Sequence, residues 1–412
     1  MVDLRTRIVR NLGNIQAWGL NAKVLVATEL FWGIPMSWIF FYQAIFMRNL
    51  GMDEVFIGFS MTLPLILQMF LPILGGYLAD KFGRKRVFLL FDSGWIGAMV
   101  AWILAREPWH IVIAMLLQGI TATAWGVWET LLVEDTLPPY RAGIYSFVQL
   151  TYILGGLLTP IAGALISLYG VEQGCRYIFL IALVTITAAF SIRLAYLEES
   201  KIGRALSSSK KDPSVGPKGY METFRTMVKH KRLLLLFILT IIGSIVYPLI
   251  NTYRPLYLSD LRALALDESI ISVIPVASSI PSLIALSLII PRLRQEHMKK
   301  ALLISYICGV LGVTILIMAP KGALILAVLS SLLDSARGIA VFSILRTLLV
   351  NTIDEVDSFL RAKIMSLVTM CSALVSWPAP AIGGYLYSIS PTYPFMLVVS
   401  LLTLSTCLIL KI

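Results

Sequence analysis

Residues Leu233–Ile245 read LLLLFILTIIGSI, thirteen positions without a charge, and the run continues apolar to Ile250. A second run, Ile270–Ile290, is equally free of charge. A helix crossing a bilayer needs about 20 mostly apolar residues in a row. In hydrocarbon the backbone must satisfy its own hydrogen bonds, which leaves helices or a closed barrel. Barrel strands alternate between lipid and lumen, whereas these runs are continuous, so the fold is predicted to be an all-α membrane protein. The same pattern recurs along the 412 residues. Apolar segments near 22–47, 56–79, 87–105, 110–133, 144–168, 175–197, 233–258, 270–291, 301–319, 323–347, 364–387 and 393–411 predict twelve transmembrane helices.

Composition agrees. The chain is 58% hydrophobic and 14% charged, too few charges to coat a water-facing surface, since soluble domains carry about 25%. The net charge of +11 invites a nucleic-acid reading, but the basic residues lie mostly in the connections between spans, so no nucleic-acid partner is expected. Sorted by side, twenty-five Lys and Arg fall with the termini and the even-to-odd connections. Five fall opposite (Arg48, Arg106, Arg176, Arg262, Lys321), and Arg193, Arg254, Arg337 and Arg346 lie inside spans. That asymmetry predicts both termini in the cytoplasm of a plasma-membrane protein. Cys175, Cys308, Cys371 and Cys407 show no paired spacing, and His110, His230 and His297 are isolated. No metal, cofactor or enzymatic constellation is expected. Residues 198–232 have linker composition, which divides the chain into an N-terminal six-helix bundle (1–197), a cytoplasmic linker (198–232) and a C-terminal six-helix bundle (233–412). Leu4, Ile8, Leu12 and Ile15, and again Met221, Phe224 and Val228, stand at helical spacing, suggesting interfacial helices or simple tethers.

The two halves carry a common pattern. Glu134, Arg141, Pro160 and Gly163 recur 220 positions later as Asp354, Arg361, Pro380 and Gly383. Duplicated halves are a recurrent architecture of secondary transporters, with the substrate site near the midplane between them.

Between the second and third spans stands GYLADKFGRKR, Gly76–Arg86. With Gly76, Asp80, Gly83 and Arg84 in place, it resembles the signature G-x-L-a-D-[RK]-x-G-R-[KR] of the major facilitator superfamily. That resemblance implies a carrier whose two six-helix bundles alternately open a central cavity, lined by spans one, four, seven and ten, to each side. It also implies that the Asp80 motif stabilises the outward-facing state through span eleven. Gly155, Pro160 and Gly163 match part of the family's antiporter signature G-x-x-x-G-P-x-x-G-G, while Thr159 and Ala164 replace expected glycines.

Ionisable residues at membrane depth cost about 2.5–3.5 kcal/mol each and mark function by default. Glu29, followed by Trp32, lies two turns into span one and is suited to exchange a proton, or else to pair with Lys23 or a loop Arg. Glu129 follows Trp125 by one turn in span four, a pairing suited to an organic cation. Tyr247, Asn251 and Arg254 share one face of span seven, with Arg254 a fork for an anion or a gate residue. Asp334 and Arg337 are three apart in span ten and can neutralise one another. The expected function is a monomeric, proton-coupled exporter of amphipathic small molecules. The alternative is a carrier of organic anions or metabolites that uses Arg254 and Arg337.

Overall fold

The computed structural model describes residues 14–200, 204, 227–357 and 361–412. The segments around Leu4, Ile8 and Leu12 and around Met221 and Phe224 lie outside the described residues. All regular structure among the described residues is helical. Eleven stretches are long and apolar enough to cross a membrane. One of them, Gly143–Tyr196, is 54 residues long and breaks at Gly170 (φ 76°, ψ 169°). A positive φ suits a residue without Cβ, and the break divides the stretch into two spans, giving twelve.

In order, span one is Leu20–Asn49, span two Glu54–Phe82, span three Arg84–Ile103 and span four Pro108–Val133. Spans five and six meet at Gly170 and end at Tyr196. Span seven is Lys231–Ser259, span eight Ile270–Ile289, span nine Gln295–Met318, span ten Leu324–Val356, span eleven Leu367–Ile389 and span twelve Tyr393–Leu410. The repeated prolines have a structural counterpart. Span five is interrupted between Leu157 and Thr159, just before Pro160, and span eleven between Ser376 and Ala379, just before Pro380. Proline lacks the N–H that continues the ladder and crowds the preceding turn. Spans eight and ten each contain a wider π-helical segment, Ala285–Ile289 and Ala340–Leu345.

Two compact units emerge, and their boundary cuts across the spans. Among the described residues, unit 1 comprises 14–39, 67–155, 176–200 and 204, and unit 2 comprises 40–66, 156–175, 227–357 and 361–412. Lipid tails are as apolar as leucine, so close backbone packing and polar contacts hold such helices together. In unit 1 Trp18, Leu25, Val87, Phe88, Leu131 and Leu132 are among the residues of a buried apolar cluster. Gly33 packs against Thr151, and Gly75 sits against the backbone of Thr123. In unit 2 the ends of spans two and five opposite the basic connections pack on the C-terminal half. Gly58 of span two faces Gly384 of span eleven, and Gly163 of span five faces Ser269 and Ser272 at the start of span eight. The two helix pairs are related by the repeat.

A side chain has no room at these crossings: a Cβ on Gly384 would stand 3.2 Å from the Gly58 Cα and 3.1 Å from the Tyr253 hydroxyl. We expect Gly384→Val to destabilise the protein by about 1–3 kcal/mol, read as a lowered thermal midpoint in detergent. Gly126→Ala, whose added Cβ meets nothing within 4 Å, should leave the midpoint unchanged or raise it.

Candidate functional site

Glu29 is buried, and its charge is met by span six rather than by Lys23, which reaches the Gln16 carbonyl instead. Arg193 Nη2 lies 3.2 Å from Glu29 Oε2, Arg193 Nη1 lies 3.0 Å from Asp92 Oδ2, and Arg193 Nε donates to Thr28 Oγ1 at 2.9 Å. Tyr152 donates to Glu29 Oε1 at 3.3 Å. Trp32, one turn beyond Glu29, meets Trp95 and Tyr152 edge-on, with ring centroids 5.3 and 6.0 Å away. Two carboxylates from spans one and three therefore share a single guanidinium. With both acids ionised, one negative charge stays uncompensated at membrane depth.

On span four, Trp125 and Glu129 are exposed on the surface of unit 1, and Tyr145 of span five donates to Glu129 at 3.2 Å.

The C-terminal half has the opposite balance. Asp334 accepts from Arg337 Nε at 2.6 Å and from Arg254 Nη2 at 2.7 Å. The Asp334–Arg337 couple suggested by spacing thus takes in a third member, and two guanidinium groups share one carboxylate. Tyr247 and Asn251, on the same face of span seven as Arg254, are exposed on unit 2, with Asn251 beside the Tyr247 hydroxyl.

At the basic end, Gly83 takes φ 94° between spans two and three. The Glu199 carboxylate accepts from the backbone N–H groups of Arg84 (2.9 Å) and Lys85 (3.0 Å), satisfying the first turn of span three where unpaired donors and the helix dipole favour an anion. A Cβ at Gly83 would stand 2.7 Å from that carboxylate, while one at Gly76 would meet nothing. The Arg84 side chain pairs with Glu134. Arg141, seven residues on, donates instead to the Thr136 carbonyl at 2.9 Å, so the Glu134 and Arg141 spacing does not mark a pair. Asp80 is half-buried and forms no ion pair among the described residues. Asp354 lies near the end of span ten, and the side chain of Arg361 is outside the described residues.

At the opposite end is a network that the sequence reading passed over as loop charges. Asp260, just past span seven and 1% exposed, lies 3.0 Å from Arg48 and 2.9 Å from Arg262, and accepts from Tyr387 of span eleven at 3.0 Å. Arg262 also pairs with Glu54 at the start of span two. The available signal was scarcity: only five Lys and Arg fall on that side, and two of them converge here.

The sequence profile of the Major Facilitator Superfamily matches residues 30–377. The chain belongs to this family. It is a multi-pass integral membrane transporter. The facilitator fold is shared with solved structures over 95% of the chain. A nucleoside transporter, NupG, aligns at TM-score 0.69 with 16% identity over 98% of its own chain. A bacterial homologue of the human lysosomal transporter Spinster, in an inward-facing and unoccupied conformation, aligns at TM-score 0.68 with 14% identity over 96% of its own chain. Among curated relatives, a Na(+), Li(+), K(+)/H(+) antiporter of Planococcus maritimus is 24% identical over 60% of this chain. The multidrug resistance protein MdtH of Proteus mirabilis is 30% identical over 32% of it. The matches span 59% and 33% of those two relatives' lengths.

Asp260 lies outside the spans, and its charge has a measurable consequence. Burial alone would raise its carboxyl, but hydrogen bonds from the Arg262 side chain and backbone and from Arg48 outweigh burial and hold it at about 2, below the ordinary 3.8. A carboxyl depressed on folding stabilises the protein above its unfolded pKa, and that stabilisation is lost as pH falls toward the folded value, here from near 4 down to about 2. The shift corresponds to about 2 kcal/mol. Asp260→Asn should therefore lower stability at neutral pH, and its deficit relative to wild type should shrink steadily in unfolding curves taken from pH 5 down to about pH 2. A deficit that does not change with pH would remove the charge from the account.

Proposed function

We propose that this transporter exchanges protons for a cationic, amphipathic small molecule, and that Glu29 and Asp92, sharing Arg193, hold the exchangeable proton. The carrying observation is the sharing itself: two buried acids face one guanidinium. An uncompensated charge in a low-dielectric interior is costly, and binding a proton is the usual remedy. A proton on either acid balances the cluster, and so does a cation drawn near both. Proton and cation then compete for one negative charge, which is the requirement for exchange. The aromatic rings of Trp32, Trp95 and Tyr152 near the acids, and Trp125 beside Glu129, are of the type whose faces attract an organic cation. The likeness to a Na(+), Li(+), K(+)/H(+) antiporter and to multidrug resistance protein MdtH supports the same class.

In this reading the protein acts as a monomer in the plasma membrane, with the basic connections and both termini in the cytoplasm. The crossings of spans two with eleven and five with eight, together with the Asp260 network, close the outer end and part when the carrier faces outward. The Asp80 motif, with Arg84 held by Glu134, acts at the cytoplasmic end of that cycle.

In proteoliposomes containing a pH-sensitive dye, adding a lipophilic cation should release protons through the wild type. Glu29→Gln should reduce that release at least tenfold while the purified variant keeps its fold. Asp92→Asn should shift its pH dependence. If Glu29→Gln transports normally and Arg254→Ala does not, the carrier is one of organic anions and the exchange reading fails.

A further inference from the structure

Arg254 and Arg337 together use few of the hydrogen-bond donors they bring into the membrane. Both of their ion pairs end on Asp334, so the group carries one positive charge. Arg337 is 7% exposed and gives only its Nε to that carboxylate; its two terminal nitrogens have no protein acceptor among the described residues. Arg254 Nε is buried without a partner. The Tyr306 hydroxyl of span nine, on a residue 1% exposed, is likewise buried and unpartnered, and it lies close enough to Arg337 to interact electrostatically. Arg337 passes close over Gly309, one turn beyond Tyr306, where an added Cβ would stand 2.7 Å from the Arg337 Cδ. Span nine thus carries Tyr306 one turn from its contact with the Arg337 side chain.

Each buried donor left without an acceptor costs about 1–3 kcal/mol, and more when charged. Native interiors leave few such groups. Here they occur on two residues, Arg254 and Tyr306, beside one excess positive charge. A water molecule would satisfy hydrogen bonds and leave the charge. A second carboxylate would satisfy both, but none pairs with either arginine among the described residues. A single monovalent anion meets both requirements, whereas a divalent anion would reverse the imbalance. We propose that the C-terminal half binds one monovalent anion, chloride or the carboxylate of a bound molecule, between Arg254, Arg337 and Tyr306. The site is independent of proton exchange at Glu29: it is defined by equilibrium occupancy, and the Glu29→Gln variant should bind the anion as the wild type does.

The test is thermal unfolding of the purified full-length protein in detergent, with sodium gluconate replaced at constant ionic strength by sodium chloride or, separately, sodium acetate. Gluconate, the bulkiest of the three anions, is the reference. The wild type should show a saturable rise in midpoint with chloride. Tyr306→Phe should weaken half-saturation about tenfold, the worth of one hydrogen bond to a charged group, without lowering the midpoint in gluconate. Asp334→Asn, which releases both arginines, should tighten half-saturation; should that variant fail to fold, the Tyr306→Phe shift alone decides. Chloride stabilisation that acetate neither matches nor competes with assigns a resident inorganic ion. Stronger, competing stabilisation by acetate assigns the site to a ligand's carboxylate. No saturable response to either salt, or a response that Tyr306→Phe leaves unchanged, overturns the proposal.

Discussion

A charge buried at membrane depth has to be answered by another charge, and the arrangement of this transporter follows from how each one is answered. Within the spans Arg193 answers two acids and Asp334 answers two arginines; at the span ends Asp260 answers two more and Glu134 answers Arg84. Most of these contacts join different helices; Asp334–Arg337 and Asp260–Arg262 are local. In a medium where apolar surface gives no reason for one helix to prefer another, such pairs fix which helices are neighbours and at what height. Breaking a buried pair by removing one partner typically costs about 3–5 kcal/mol, more than any single packing contact between leucines contributes.

The remaining specificity comes from where side chains are missing. Gly58 with Gly384, and Gly163 with the start of span eight, bring backbones together at the end opposite the basic connections. These sites sit near Pro160 and Pro380, where spans five and eleven break. Both halves thus carry the same local device, a proline interruption followed by a glycine contact. The charges were not duplicated in the same way. The N-terminal half holds two acids on one arginine, and the C-terminal half holds two arginines on one acid. The two halves therefore differ in electrostatic character.

Much of this was legible before any coordinates. Uncharged runs such as Leu233–Ile245 gave the spans, and the matched spacings gave the repeat. Charges at Glu29, Arg254, Asp334 and Arg337 stood out because the surrounding sequence is so poor in them. Their partners were not legible. Spans apolar on every side carry no periodicity to say which face meets which neighbour, so nothing local ties Glu29 to Arg193, 164 positions away. Local spacing did not show the partner of Glu134 either: Arg141, seven residues on, turns to the Thr136 carbonyl and leaves Glu134 to Arg84. Asp260 went unnoticed because a loop acid next to a span looks solvated in sequence, whereas the fold buries it.

The convergence on Asp260 sets how the far end of unit 2 comes apart. Arg48 lies in the last turn of span one and Tyr387 belongs to span eleven, and both reach the carboxylate of Asp260 at the end of span seven, where Arg262, two residues on, joins them. With a separate acid for each donor, the helices could loosen one at a time through a ladder of half-open states. A shared acid gives no such ladder. Once one donor withdraws, the others are left bound to a carboxylate whose surroundings have just become wetter and less confining, and each successive release is easier than the last. Parting of these helices is therefore cooperative, closer to a latch than to a hinge.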